Sequence, residues 1–318
     1  MTKPMQVMLG IGLLLALPAW AEFEAVDRDG RIEIRDGEKL VFGWQVAPLD
    51  NPKGGEVFAA SAFIHPLCTP SGFELTSIQP DDHLHHLGLW WPWKMLTVDG
   101  KKHITWEMQE KQGQHVAVAA KVVEKSADEV LIEATNRSLI GEAGVDRRPV
   151  LDEQVRLRFF RIGKDAYGLD IHITQQPVRG IDVTVTRYHY SGLSWRGASE
   201  WTKENSVMLT SAGLDRDHAN GNPANWVTVE GTTPRGRATM LMMSAAAKDD
   251  GRAERLRVWD SKMHGGAPFV NFNPVMGDSI ALKPEHKEVS DRHYRLVIAD
   301  RSIAADEVDR LWGEWGGR

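Results

Sequence analysis

The chain has 318 residues, a formal net charge of −6 and 42% hydrophobic residues, with 12 Trp and a single Cys. No basic patch or Arg-rich run is present, so nucleic acid is excluded as the expected partner. One cysteine cannot form an intramolecular disulfide, and the fold must therefore rest on its core.

The N-terminus reads as a targeting segment. Lys3 supplies a positive start, Met5 to Pro18 is apolar, and Ala19-Trp20-Ala21 is a small-x-small cleavage site. The apolar run is shorter than the roughly 20 residues of a membrane span. The expectation is a signal peptide over 1–21, a periplasmic or secreted mature chain from Glu22, and one domain over 22–318. No later stretch is long and apolar enough to form a transmembrane segment.

Alternation then sets in. Arg31-Ile32-Glu33-Ile34-Arg35, a turn at Asp36-Gly37 and Leu40 to Trp44 read as a hairpin, and Val57 to Phe63 as a further strand. Val116 to Val123 pairs with Val130 to Ala134, and Val155 to Phe159 with Tyr167 to Thr174. Ile181 to Thr186, Met240 to Ser244, Arg255 to Trp259 and His293 to Ala299 complete the set. Many short strands separated by turn residues predict an all-β, mostly antiparallel β-sandwich. The clear helix is C-terminal, from about Ala304: Ala304, Val308, Leu311, Trp312 and Trp315 form one stripe that should cover a sheet, with Ser302 as N-cap.

The stretch Asp81-Asp82-His83-Leu84-His85-His86-Leu87-Gly88-Leu89-Trp90-Trp91-Pro92-Trp93 carries the chemistry. It packs three imidazoles, two carboxylates and three indoles into thirteen positions. Read as a strand, it points His83 and His85 one way and His86 the other. His83 and His85 can then reach one metal ion, or serve as general acid/base and electrophile on one substrate. Trp90, Trp91 and Trp93 would form a stacking wall for a sugar-like ligand. Elsewhere, Glu153 is a candidate base or metal ligand, and Arg196 a clamp for a carboxylate or sugar hydroxyl. His189 and Tyr190 lie just before Gly192. Asp170 and His172 share one strand face. Cys68 reads as a buried small residue, with a thiol nucleophile as the alternative.

Beyond these readings, several segments resemble the bacterial family known as methane oxygenase PmoA-like. They are His65-Pro66-Leu67 with Thr69-Pro70-Ser71-Gly72, Asp82 to Trp90, Asp152-Glu153, Tyr190 to Arg196, Asn225-Trp226-Val227 and Tyr294 to Val297 with the helix after it. The resemblance implies a sandwich similar to the galactose mutarotase-like supersandwich, and a sugar substrate. It also implies that His65 and the late His264 belong to the site. Three readings stay open: an exported lyase, hydrolase or epimerase using His acid/base chemistry with or without a divalent metal; a non-catalytic carbohydrate-binding protein; and a metal-dependent oxygenase, as the family label suggests. The substrate in each case is a small molecule or an oligosaccharide. Asp82, Trp90, Trp93, His65, His189, Tyr190 and His264 are the candidate binding residues beside the catalytic set His83, His85, His86, Glu153 and Arg196.

Overall fold

The computed structural model describes residues 21–315 except 143, 247–250 and 284, with backbone only at 287 and 288. Apart from Ala21, the expected signal segment lies outside these residues.

Three antiparallel sheets account for nearly all regular structure. The first runs in the order β1 (Phe23–Arg28), β2 (Arg31–Asp36), β3 (Lys39–Gln45), β4 (Phe63–Leu67), β5 (Leu89–Trp90), β13 (Ser194–Arg196), β18 (Phe269–Asn273), β17 (Arg255–Val258). The second runs β14 (Ser206–Thr210), β15 (Trp226–Thr233), β16 (Gly236–Ser244), β20 (Asp291–Ala299), β11 (Ala166–Pro177), β10 (Arg148–Ile162), β9 (Glu129–Ile140), β8 (Gly113–Lys125). A smaller sheet orders β19 (Ile280–Ala281), β12 (Val183–Val185), β6 (Met95–Val98) and β7 (Lys101–Ile104).

Period-two patterning builds the sandwich. In β10, Val155, Leu157 and Phe159 are buried while Gln154 and Arg156 are exposed. These side chains meet Ile32, Ile34, Phe42 and Trp44 from the first sheet in one continuous core. Phe159 sits 5.4 Å from both Phe23 and Phe42, and Trp44 stacks on Trp91 at 5.5 Å. The expected pairs of Val116–Val123 with Val130–Ala134 and of Val155–Phe159 with Tyr167–Thr174 are present as β8 with β9 and β10 with β11.

The helix Ala305–Glu314 buries Val308, with Trp315 just beyond its end, against Trp226, Leu241, Met243 and Val297 on the outer face of the second sheet. Its N-cap is Ala304 and carries no side-chain cap, so Ser302 does not start it. Val57 to Phe63 is not a strand. Residues Glu56–Phe58 form a 3-10 turn closed by a bond from Phe58 N–H to the Gly55 carbonyl, and the strand begins at Phe63. Gly55 has a φ of 73°, which drives the chain into a turn where the hydrophobic run alone reads as extended.

One feature of the first sheet prepares the site. Ile64, Leu89, Trp195 and Val270 face the sandwich core. Their strand neighbours Phe63, Trp90, Arg196 and Phe269 are also buried, on the opposite face. There Phe63, Trp90 and Phe269 join Trp106, Met108 and Trp259 in a separate aromatic cluster roofed by loops.

Candidate functional site

The site is assembled on that roofed outer face. Asp81 to His86 does not form a strand. Bonds from His83 N–H to the Pro80 carbonyl and from His86 N–H to the His83 carbonyl fold it into consecutive turns. The alternation expected for His83, His85 and His86 therefore fails, and all three rings converge. His83 lies 4.5 Å from His86 and 5.5 Å from His85, and His85 lies 5.0 Å from His86. Gly88 ends the loop with a φ of 72°, and a Cβ there would sit 2.7 Å from the Ile64 carbonyl oxygen. Only glycine lets the His loop approach β4 this closely.

A second loop brings His264 to the same place, with its ring 4.8 Å from His83 and 4.1 Å from Trp259. It occupies the left-handed region at φ 47°, beside Gly265 at 65°. The two loops meet at Asp82. Its carboxylate accepts two hydrogen bonds from Arg196, at 3.0 and 3.1 Å, and one from His83 Nδ1 at 3.0 Å. His264 Nδ1 lies 3.3 Å away. Burial opposes ionisation of Asp82, but the His83 hydrogen bond and the Arg196 charge prevail and hold its carboxyl below the usual range. Arg196 is 7% exposed and lies over the Trp259 ring at 4.5 Å.

His83, His264 and Trp259 border a cavity of about 150 Å³ whose lining also includes His85, His86, Trp106, Glu107, Tyr190, Arg257, Met263 and Phe269. Opposite the histidines, Glu107 accepts a hydrogen bond from Tyr190 Oη at 2.7 Å and forms an ion pair with the buried Lys94. Burial holds His85 at about 4, helped by the charges of His83 and Lys94, and pushes His86 well below the usual imidazole range. His264 is lowered too, chiefly by burial. The Nδ1 of His86 and the Nε1 of Trp106 are buried without a hydrogen-bond partner. A larger cavity of about 480 Å³ borders Pro223, Glu254, Arg255, Asn273 and Asp278, and among the described residues it gathers no comparable set of titratable rings.

Asp82, His83 and His264 are the residues here that could hold a metal, since their donor atoms lie within 4.8 Å of one another. This is a two-His, one-carboxylate set of the kind that suits divalent transition ions. The expected pairing of His83 with His85 is not the one the geometry favours.

Several expected site residues lie elsewhere. Glu153 is 1% exposed between the two large sheets, well away from the cavity lining. Its Oε1 accepts from Trp91 Nε1, His115 Nε2 and Asn136 Nδ2 at 2.9, 3.1 and 2.7 Å, and Gln175 serves Oε2. Burial would raise its pKa, yet His115 and these donors hold it at about 2. It is an ionised core acceptor. Trp90, Trp91 and Trp93 are at most 1% exposed and form no stacking wall. Trp90 packs beneath His86 at 5.0 Å, while Trp93 donates to Gln175 and packs under Arg292. His65 bonds Thr76 Oγ1 at 3.0 Å and is held at about 4 by burial, outside the lining. His189 is exposed and stacks on Tyr188, beside but not within the cavity. Cys68 is buried, which pushes its thiol up to about 12 and disables it as a nucleophile. Asp170 is tied to Arg158 and Arg295. Sequence reasoning missed Trp106, Glu107 and Arg257. They lie outside the His-rich stretch, and only the fold brings them to the His loop.

Two expectations follow. Replacing Glu153 with Leu strands four buried donors, so the urea midpoint should fall by an amount equivalent to about 3–5 kcal/mol. Ligand binding at the cavity should persist in the folded fraction; normal stability with lost binding would return Glu153 to the site. The second concerns pH. His65 and His85 stay neutral in the fold down to about 4, whereas the unfolded chain takes up protons near 6.5. Their contribution to stability is complete above about 6.5 and is lost as pH falls toward 4. The urea midpoint should drop across that window, and less steeply in His85→Gln; a flat or rising midpoint contradicts this.

No curated protein matches the chain. Among solved structures, a GalM/aldose epimerase homologue from C. elegans aligns with 88% of this chain and 98% of its own, at 8% identity and a TM-score of 0.36. At that score the likeness carries no argument about the site. Neither comparison bears the methane oxygenase label. The family model for DUF6807 matches residues 31–313, and the chain belongs to this family of unknown function.

Proposed function

We propose that the cavity beside His83 is the working site of an enzyme that moves a proton on a small sugar or sugar acid. The observation that carries this reading is the convergence of His83, His85, His86 and His264 on one aromatic-lined cavity, with Asp82 orienting two of them.

The size of the cavity restricts the ligand. About 150 Å³ is well below the ~300–1,000 Å³ of pockets that enclose drug-sized molecules, so one ring fits and a longer saccharide extends out of the mouth. Trp106, Tyr190, Trp259 and Phe269 offer faces to the C–H side of such a ring. Arg257 and Glu107 offer partners for hydroxyl or carboxylate groups.

The hydrogen bond from His83 Nδ1 to Asp82 fixes the ring tautomer. Nε2 is left with its lone pair, the arrangement of a general base held by a carboxylate. His83 would take a proton from a ring carbon or hydroxyl, and Arg257 would stabilise the developing negative oxygen. A two-carboxylate glycosidase mechanism is less well supported. It needs one carboxyl kept protonated as acid, and both carboxylates at the cavity are ion-paired, Asp82 with Arg196 and Glu107 with Lys94. Lyase or epimerase chemistry can take its acid from an imidazole: the proton that His83 removes would be returned to the carbon or the leaving oxygen by His83 itself or by a neighbouring ring of the cavity.

A second reading rests on the Asp82, His83 and His264 donors. A divalent ion there would supply Lewis-acid or oxidative chemistry, in line with the metal-assisted and oxygenase alternatives. Against it, Arg196 already engages both oxygens of Asp82. Export to the periplasm or medium remains part of the proposal through the sequence signal alone.

The test is a screen of monosaccharides and uronic acids by thermal shift, followed by turnover of the best binder. His83→Gln should cut kcat by about 10²–10⁴-fold with KM little changed. Full turnover in a folded His83→Gln protein rejects the acid/base role. Tight binding without turnover in the wild type establishes the binding-module reading instead.

A further inference from the structure

The second sheet carries a histidine and carboxylate cluster that the pocket chemistry does not use. β11 and β20 pair with His172 opposite His293. Ile171, Ile173 and Tyr294 point into the core, so His172 and His293 project from the outer face. Asp291 lies two residues before His293 on the same strand and therefore on the same side. The two imidazoles stack with centroids 3.9 Å apart and planes 19° from parallel. The Nε2 atoms of both rings reach a single oxygen, Asp291 Oδ1, at 2.8 Å from His172 and 3.0 Å from His293.

We propose that His172, Asp291 and His293 form a binding site for a divalent transition ion such as Zn²⁺, Ni²⁺ or Cu²⁺. The three donor atoms lie within 4.8 Å of one another. Ligands bound at about 2.0–2.2 Å around a tetrahedral ion stand roughly 3.4 Å apart. The observed separations from Asp291 Oδ1 need to open by only a few tenths of an ångström to admit the ion. Each ring would then carry its proton on Nδ1 and offer the Nε2 lone pair. Two imidazoles and one carboxylate favour zinc, nickel or copper over magnesium or calcium.

The contrast with the pocket supports the assignment. Asp82 is already neutralised by a two-bond contact with Arg196. Among the described residues no arginine or lysine forms an ion pair with Asp291, whose partners are the two imidazoles. His172 and Asp291 are 37% and 40% exposed, so an ion can enter and keep a solvent-facing coordination position. The strands also fix the donors. β11 and β20 are central in their sheet, and the direct register of His172 with His293 is set by nine consecutive residue pairs.

The experiment is calorimetric titration of Zn²⁺ into chelator-treated protein, using the wild type, His172→Gln/His293→Gln and, as a control, His83→Gln/His264→Gln. The proposal expects one ion per chain in the wild type and in the pocket variant, with affinity at least about tenfold weaker in the sheet variant. Histidine-ring NMR of the wild type, independent of any variant's folding, should show Zn²⁺ shifting the His172 and His293 signals. Absence of Zn²⁺ binding, equal affinity in the sheet variant, or Zn²⁺ shifts confined to pocket histidines would overturn it.

Discussion

The pair between Asp82 and Arg196 is the interaction on which the site depends. Arg196 leaves β13 on the face away from the core and is 7% exposed. A guanidinium so far removed from water requires a counter-ion in good geometry, and Asp82 meets both of its terminal nitrogens. That demand pins the His loop over the first sheet. Once Asp82 is placed, it accepts a hydrogen bond from His83 of its own loop and stands within ion-pair distance of His264 from another. The cavity is what remains between these loops and the Trp106-Glu107 segment. The same pair accounts for the charge balance, since a bare carboxylate among four imidazoles would favour their protonation.

A comparable economy operates in the core. Glu153 is the other strongly held carboxylate, and its four side-chain donors come from the His-loop strand region, β8, β9 and β11. Such a network adds polar contacts to the apolar packing between the two sheets, as Arg161 and Tyr167 do at Asp36. Both carboxylates have strong partners, but Asp82 is exposed and touches imidazoles that line a cavity, whereas Glu153 is sealed between the sheets. Burial and a shifted titration therefore do not by themselves identify chemistry.

The strands were legible because one-sided burial writes itself as alternation, clearest in Val155, Leu157 and Phe159 and in His293 to Ala299. Val57 to Phe63 was misread because glycine at a positive φ outweighs the propensity of an apolar run. The His-rich segment was legible as a site from composition alone. Its geometry was not, since Pro80 and two successive turns replaced the expected strand and gave convergence in place of alternation. The Trp run misled for a related reason. In a sheet buried on both faces, indoles at successive positions are all taken up by packing, and the aromatic lining comes from Trp106, Tyr190, Trp259 and Phe269. Glu107 and Arg257 left no local signal, because their meaning arises only from loops far apart in the chain.

The working site turns on Asp82 accepting the Nδ1 proton of His83, which sets the ring tautomer. Nitrogen NMR of the imidazole measures this directly in the wild type and in Asp82→Asn. The neutral form of the His83 ring should carry its proton on Nδ1 in the wild type and lose that preference in the variant. A wild-type ring protonated on Nε2, or a tautomer indifferent to Asp82→Asn, would contradict it.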